Sequence, residues 1–184
     1  MSNSAPRSVP ELFLDRVGKT PDAEAFRHPV AGGWRSLSWA ATEARVRAVA
    51  SGLRALGVAP EEVCAILSAT RIEWVLADFG ILCAGGATST IYPSTTADEC
   101  AFILSDSGAV ICFVDGPEQV QKLAARRAEL PRLRHLVTFG GGGSADGWSS
   151  RWTSSRPPAA PTTPATRAPS RRAAPRCGAT RWPP

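Results

Sequence analysis

The chain has 184 residues and a formal net charge of +5, but the charge is unevenly placed. Residues 149–184 hold seven Arg and eight of the 16 Pro, with no Lys, Asp, Glu, Leu, Ile, Val or Phe; the 148 residues before them carry 14 basic and 16 acidic side chains, a net charge of −2. This excludes a basic globular domain built for nucleic acid, and without branched aliphatics residues 149–184 bury too little apolar surface to offset chain entropy, so they are expected to be a disordered tail after a folded part spanning 1–148.

Val9, Leu12, Phe13 and Val17 are spaced as one helical face, with Pro10 at the start and Gly18 past the end. Phe26 and Trp34–Leu37 flank Gly32-Gly33 as a short hairpin. Ser38 is suited to cap a helix running to Leu56, with Val46, Val49, Leu53 and Leu56 inward and Gly57 closing it. Val63–Leu67 reads as a buried strand. Arg71–Ala84 is helical in length and apolar nearly all round, and Gly85-Gly86 ends it. Thr88–Tyr92 is a β-branched run, and Thr96 with Glu99 forms a capping box before Cys100–Ser105, stopped by Gly108. Val110–Val114 is a third strand, Pro117–Leu130 an amphipathic helix and Leu136–Phe139 a fourth strand. Strands alternating with helices predict βαβ units, an α/β fold with a mainly parallel sheet. Gly140–Gly143 and Ser144–Gly147 read as a flexible stretch, and the pattern stops beyond Trp148.

The motifs that carry chemistry are few. Gly18-Lys19-Thr20 matches the end of a phosphate-binding loop, but the Gly required five residues earlier is Phe13, so it reads as a helix stop. The four-glycine run lacks the Lys-Ser/Thr of a phosphate cradle. His28 and His135 have no Ser or Cys partner that sequence places nearby, and Trp34, Trp39 and Trp74 read as core or hairpin anchors. Five Cys without a CxxC pair, four of them (Cys64, Cys83, Cys100, Cys112) in apolar segments, read as reduced thiols of a cytoplasmic protein. Two His and no Cys/His cluster argue against structural zinc. No apolar run reaches the ~18 residues of a membrane span, and Met1–Pro10 has no signal-peptide core.

The order of residues says more. Ser36–Val58, SLSWAATEARVRAVASGLRALGV, is followed by Glu62–Gly86, EVCAILSATRIEWVLADFGILCAGG, and then by Ala87–Val114, ATSTIYPSTTADECAFILSDSGAVICFV. Together these resemble the opening portion of an adenylate-forming (AMP-forming) acyl-CoA synthetase. The Tyr92-Pro93-Ser94-Thr95 turn after Gly85-Gly86 is most similar to the long-chain fatty acid–CoA ligase branch. The resemblance runs from about Val9 to Phe139 and implies the N-terminal βαβ layers of the synthetase large domain.

It also implies an activity: a fatty carboxylate attacks the α-phosphate of Mg-ATP to give an acyl-adenylate and pyrophosphate, and the CoA thiol then displaces AMP. The substrates implied are fatty acid, ATP and CoA, with Mg as the metal. The family's phosphate loop is Ser/Thr/Gly-rich and ends in Pro-Lys-Gly; a later acid holds the ribose, and a Lys from a small C-terminal domain serves adenylation. This sequence has only Lys19 and Lys122, neither after a proline, and no Thr-Ser-Gly-Thr-Thr-Gly segment. No catalytic, cofactor-binding or metal residue is therefore assigned, and the chain is expected to bind none of these cofactors and to be inactive. Gly85, Gly86 and Pro93 match as backbone-shaping positions only.

The composition break at Trp148 has a candidate cause. Back-translated with GC-rich codons and read with one G placed in front, Ser149–Ala159 becomes Val-Val-Thr-Leu-Asp-Glu-Leu-Glu-Ala-Ala-Gly, an acidic amphipathic sequence. That reading implies one base lost within or beside the Trp148 codon. Two rival readings are a stand-alone flavodoxin-like binding or interaction module and a weak polyanion binder acting through the tail.

Overall fold

A computed structural model describes residues 8–152. The disorder expected of the tail and its polyanion binding fall, from residue 153 onward, outside the described residues. Helix α1 (Val9–Lys19) is capped by the Ser8 hydroxyl, and it takes in Gly18 and Lys19 rather than stopping before them. Lys19 is an ion-pair partner of Asp15 at 2.7 Å, so the Gly18-Lys19-Thr20 segment is a helix end. β1 (Glu24–Val30) and β2 (Gly33–Ser38) form the expected antiparallel hairpin. Trp34 does not anchor it: paired with Pro29 at the hairpin end, it is 69% exposed.

The remaining strands build one parallel sheet. α2 (Trp39–Ala55) leads to β3 (Val63–Leu67), then come α3 (Ile72–Cys83), β4 (Ala87–Ile91), α4 (Ala97–Asp106), β5 (Ile111–Val114), α5 (Pro117–Ala124) and β6 (His135–Thr138). Strand order is β4-β3-β5-β6-β7, where β7 is Ser149–Arg151, and every pairing is parallel. β3 and β5 are central and almost wholly buried, as strands covered on both faces must be. α2 and α3 cover one face through Val49, Leu53, Ala77 and Ile81 against Cys64, Ile66 and Phe113. α4 and α5 cover the other through Cys100, Leu104 and Leu123 against Ala65, Leu67, Cys112 and Leu136. α1 forms an outer layer behind α2 and α3, with Phe13 stacked on Phe79 at 4.8 Å.

Helix ends follow the expected residues. The Ser38 hydroxyl accepts from Ala41 N–H, and Thr96 and Glu99 complete a reciprocal capping box. At the end of α3, Gly85 N–H donates to Leu82 O and Gly86 N–H to Ile81 O, a Schellman close with Gly85 at φ +81°. Gly80 lets α2 and α3 touch, since a Cβ there would overlap the Val49 side chain.

Three expectations need correction. The helix expected over Pro117–Leu130 ends at Ala124, and a 3-10 turn at Arg127–Glu129 brings Leu130 back into the core. The stretch Ser144–Gly147 is a hydrogen-bonded turn: Ser144 N–H donates to Ser149 O at 3.1 Å, and the Asp146 carboxylate accepts from Ser144 Oγ and Trp148 N–H. The folded part does not stop at Trp148. β7 pairs Ser149 with Leu136, Ser150 with Val137 and Arg151 with Thr138, and Trp152 sits edge-on to Phe113 and Phe139 at 5.7 and 5.4 Å. The strand is held through its backbone rather than by a run of apolar side chains: Leu136 N–H donates to Trp148 O at 2.8 Å and Trp152 N–H to Thr138 O at 2.7 Å.

Candidate functional site

In an open α/β sheet, ligands bind beyond the carboxyl ends of the strands, where the strand order reverses. Here the reversal lies between β3 and β5: from β3 the chain goes outward to β4, then crosses back to β5 and on to β6 and β7. The rim above that point is built from Ser68–Arg71 after β3, Asp115-Gly116 after β5 and Phe139-Gly140 after β6.

One ion-paired cluster fills it. Arg71 donates to Asp115 Oδ1 at 2.7 Å and to Glu73 Oε2 at 2.7 Å, and its guanidinium stands 5.8 Å from the Phe139 ring centroid. Asp115 Oδ2 also accepts the Ala69 N–H at 3.3 Å, so one carboxylate fastens both ends of the β3 loop. The hydrogen bond to Glu73 chiefly, and that to Asp115, hold the Arg71 pKa above its ordinary value. Sequence reasoning did not find this pair. Its residues are 44 positions apart, and the available signal was their place just after two apolar strands.

The neighbouring Tyr92–Thr95 turn, at the end of β4, is clasped from α5. Lys122 Nζ donates to Pro93 O and Thr95 O at 2.8 Å each, and Gln119 Nε2 to Pro93 O at 3.3 Å. Tyr92 extends outward, 81% exposed. The backbone-shaping positions thus have distinct tasks: Pro93 presents the clasped carbonyl, Gly85 closes α3, and Gly86 passes close to Glu62 O, 3.0 Å from where a Cβ would lie.

Other reactive groups lie elsewhere. Burial pushes the Cys64 thiol up to about 12 and raises Cys100 and Cys112 as well, which keeps all three protonated at neutral pH. No disulfide joins Cys64, Cys83, Cys100 and Cys112; Cys83 is only partly buried. His28 stays on the hairpin opposite Arg35. His135 does have a hydroxyl partner, contrary to expectation: its Nε2 lies 2.7 Å from Ser150 Oγ, and burial holds its pKa below the ordinary value. That pair bridges β6 and β7 and sits at the amino end of β6, away from the rim.

Among the described residues no three His, Cys, Asp or Glu side chains are grouped to hold a metal ion. The glycine run after β6 is engaged with its own chain, Gly140 N–H donating to Thr138 Oγ1 at 3.3 Å. On the rim Lys122 is held in its clasp on the Tyr92–Thr95 turn, and Arg71 is already bound to two carboxylates. These residues do not fit a magnesium-bound nucleotide.

The architecture defines the class: a doubly wound, parallel α/β unit with its ligand-facing rim at the β3/β5 reversal. The chain belongs to the family described as AMP-binding enzyme, whose model matches residues 13–174. It is 33% identical over 136 residues to a long-chain-fatty-acid–CoA ligase of Mycobacterium bovis, covering 74% of this chain and 23% of that protein. It is 32% identical over 140 residues to a long-chain-fatty-acid–CoA ligase of Drosophila melanogaster, covering 74% and 21%. Among solved structures, acetoacetyl-CoA synthetase of Streptomyces lividans superposes with a TM-score of 0.69 at 22% identity, over 78% of this chain and 24% of that one. A fatty acyl CoA synthetase of Mycobacterium tuberculosis gives 0.64 at 22%, over 80% and 33%. The structural likenesses establish the fold, and the chain spans less than a quarter of the length of these curated relatives. No helix among the described residues is long and apolar enough to cross a membrane.

Proposed function

We propose that this chain is the opening scaffold of an ATP-dependent long-chain fatty acid–CoA ligase and that, by itself, it does not catalyse ligation. The observation that carries the reading is the pairing of two facts. The family's opening βαβ layers are present with their helix caps and turns, and on the rim they form Arg71 is already bound to Glu73 and Asp115. In the longer enzyme, fatty acid, ATP, Mg and CoA are the substrates and metal that the family implies, and the cytoplasm fits the buried, reduced thiols of Cys64, Cys100 and Cys112. The scaffold supports the rim, while the phosphate loop, the ribose-binding acid and the adenylation Lys come from segments unlike any in this sequence.

Losing one preorganised donor costs roughly 10²–10³ in rate, so a chain without the phosphate site should show no turnover. The test is pyrophosphate release with ATP, Mg and a fatty acid, on protein shown to be helical and monomeric. Background rates are expected; turnover that follows the chain through repeated purification overturns the reading. A second reading, a stand-alone binding module, is favoured by the strand order, which is that of flavodoxin-like domains. A saturable small-molecule ligand at the rim, lost in Arg71→Ala with the fold intact, would favour it.

A further inference from the structure

We propose that the codons after Trp148 are read one base out of frame, so that β7 stands where the gene encodes an apolar strand. The first observation is structural. β7 lies in a parallel sheet beside β6, whose four residues are all buried, yet it offers Ser-Ser-Arg to that position. Ser149 is 3% exposed and spends its hydroxyl on Ser144 N–H, while Ser150 meets His135. A buried position in a parallel sheet normally carries Val, Ile or Leu, and Ser149 occupies one.

The second observation is independent of codon choice. Phe, Leu, Ile, Met and Val have T at the second codon position, and Tyr, His, Gln, Asn, Lys, Asp and Glu have A. These twelve types make up 62 of the first 148 residues and none of the 36 that follow. Every residue from Ser149 to Pro184 is of a type whose second base is G or C. Disordered tails usually keep Glu, Gln and Lys, so disorder alone does not produce that exclusion. A GC-rich gene read with one base missing does, because the wobble position then becomes the second position. One base gained would move the wobble base to the first position instead. A GC-rich gene is indicated by the in-frame part itself, where only two of the 14 basic residues before Ser149 are Lys. Asp146 is the last residue with A or T at the second position, which puts the break after its codon, and the buried serine that opens β7 puts it before the codon of Ser149.

The restored frame can be read in part without knowing the codons. Trp has one codon, TGG. Restored position 152 takes its last two bases from the TG of Trp152 and is therefore Leu, Met or Val. Position 153 joins the final G of that codon to the AC of Thr153 and is Asp. With a break ahead of the final G of the Trp148 codon, position 149 is Val or Glu, and paired TCN serine codons make position 150 Phe, Leu, Ile or Val. Position 152 is where Trp152 now packs against Phe113 and Phe139, an apolar slot. The frame thus returns apolar residues to the strand beside β6, and an acid where that strand ends.

The test is the nucleotide sequence of the gene and its transcript across codons 140–184. In the frame restored by one base between codons 146 and 149, the third position is expected to regain the G/C excess seen at the third position of codons 1–146. The restored frame is expected to be open through codon 184, with TCN at Ser149 and Ser150. A G/C excess that stays at the third position of the present frame overturns the proposal, as does a stop codon in the restored frame. Either failure leaves the ligase reading standing, since the segments that carry the resemblance, Ser36–Val58, Glu62–Gly86 and Ala87–Val114, all precede Trp148.

Discussion

β6 and β7 are neighbours in one parallel ladder but hold their places by different means. β6 is buried at all four residues, and Leu136 and Val137 each enter one of the two main cores. β7 has one buried residue, a serine, and its attachment is main-chain hydrogen bonds and hydroxyl contacts. The difference teaches that a neighbour's backbone is enough to position a strand, whereas the stability a strand contributes depends on what its side chains remove from water.

The sharpest test of that contrast is Phe113→Ala on central β5. Phe113 is 2% exposed and packs against both Phe139 and Trp152. A loss of about 3–5 kcal/mol is expected in urea unfolding; a loss under about 1 kcal/mol would break the claim that the interior strands carry the stability. Next in size is Gly80→Ala in the layer above. The new methyl group meets Val49, and a cost of about 2 kcal/mol is expected. Combining it with Val49→Ala should cost less than the two single changes added together, since both act at one contact.

β7 itself is tested by the block change S149V/S150V/R151T/W152L. Giving it the chemistry of its neighbours is expected to add about 1 kcal/mol, visible as a rise in Tm of roughly 3 °C. No rise would mean that the serine contacts already suit the strand. The smallest effect concerns the bridge between the two strands. Burial keeps His135 neutral more readily in the folded chain than in the unfolded one. The unfolded state therefore takes up the extra proton, and stability is full above pH ~6.5 and falls as pH drops below it. His135→Gln should flatten the Tm profile between about pH 7 and 5.5. The losses at lower pH, where Glu62 and Glu99 take up protons, should remain.

Much of this was legible in the residues. Gly57, Gly85 and Gly108 mark three helix ends, Thr96 and Glu99 mark a start, and the runs ending in Leu67 and Val114 mark the central strands, because each rests on chemistry local in sequence. The Arg71–Asp115 pair was not legible, since it depends on β3 lying beside β5, a matter of strand order. The early end of α5 escaped because Leu123, Leu130 and Leu133 all face the core, although only the first is helical. β7 escaped because nothing in Ser-Ser-Arg signals a strand; its place is set by the return of the chain through Gly140–Gly143 and the Ser144–Gly147 turn.

The central position of β3 has a consequence for how the chain assembles. β3 meets β4 at a separation of 24 residues, Val63 against Ala87, but meets β5 at 47, Cys64 against Ile111. Doubling a loop adds only about 0.6 kcal/mol of closure entropy, so the delay is set by synthesis rather than by free energy. At 5–20 residues per second, roughly one to five seconds separate the emergence of β4 from that of β5. During that interval an almost wholly apolar strand has one edge open, and a nascent chain in that state is exposed to aggregation and in need of a chaperone.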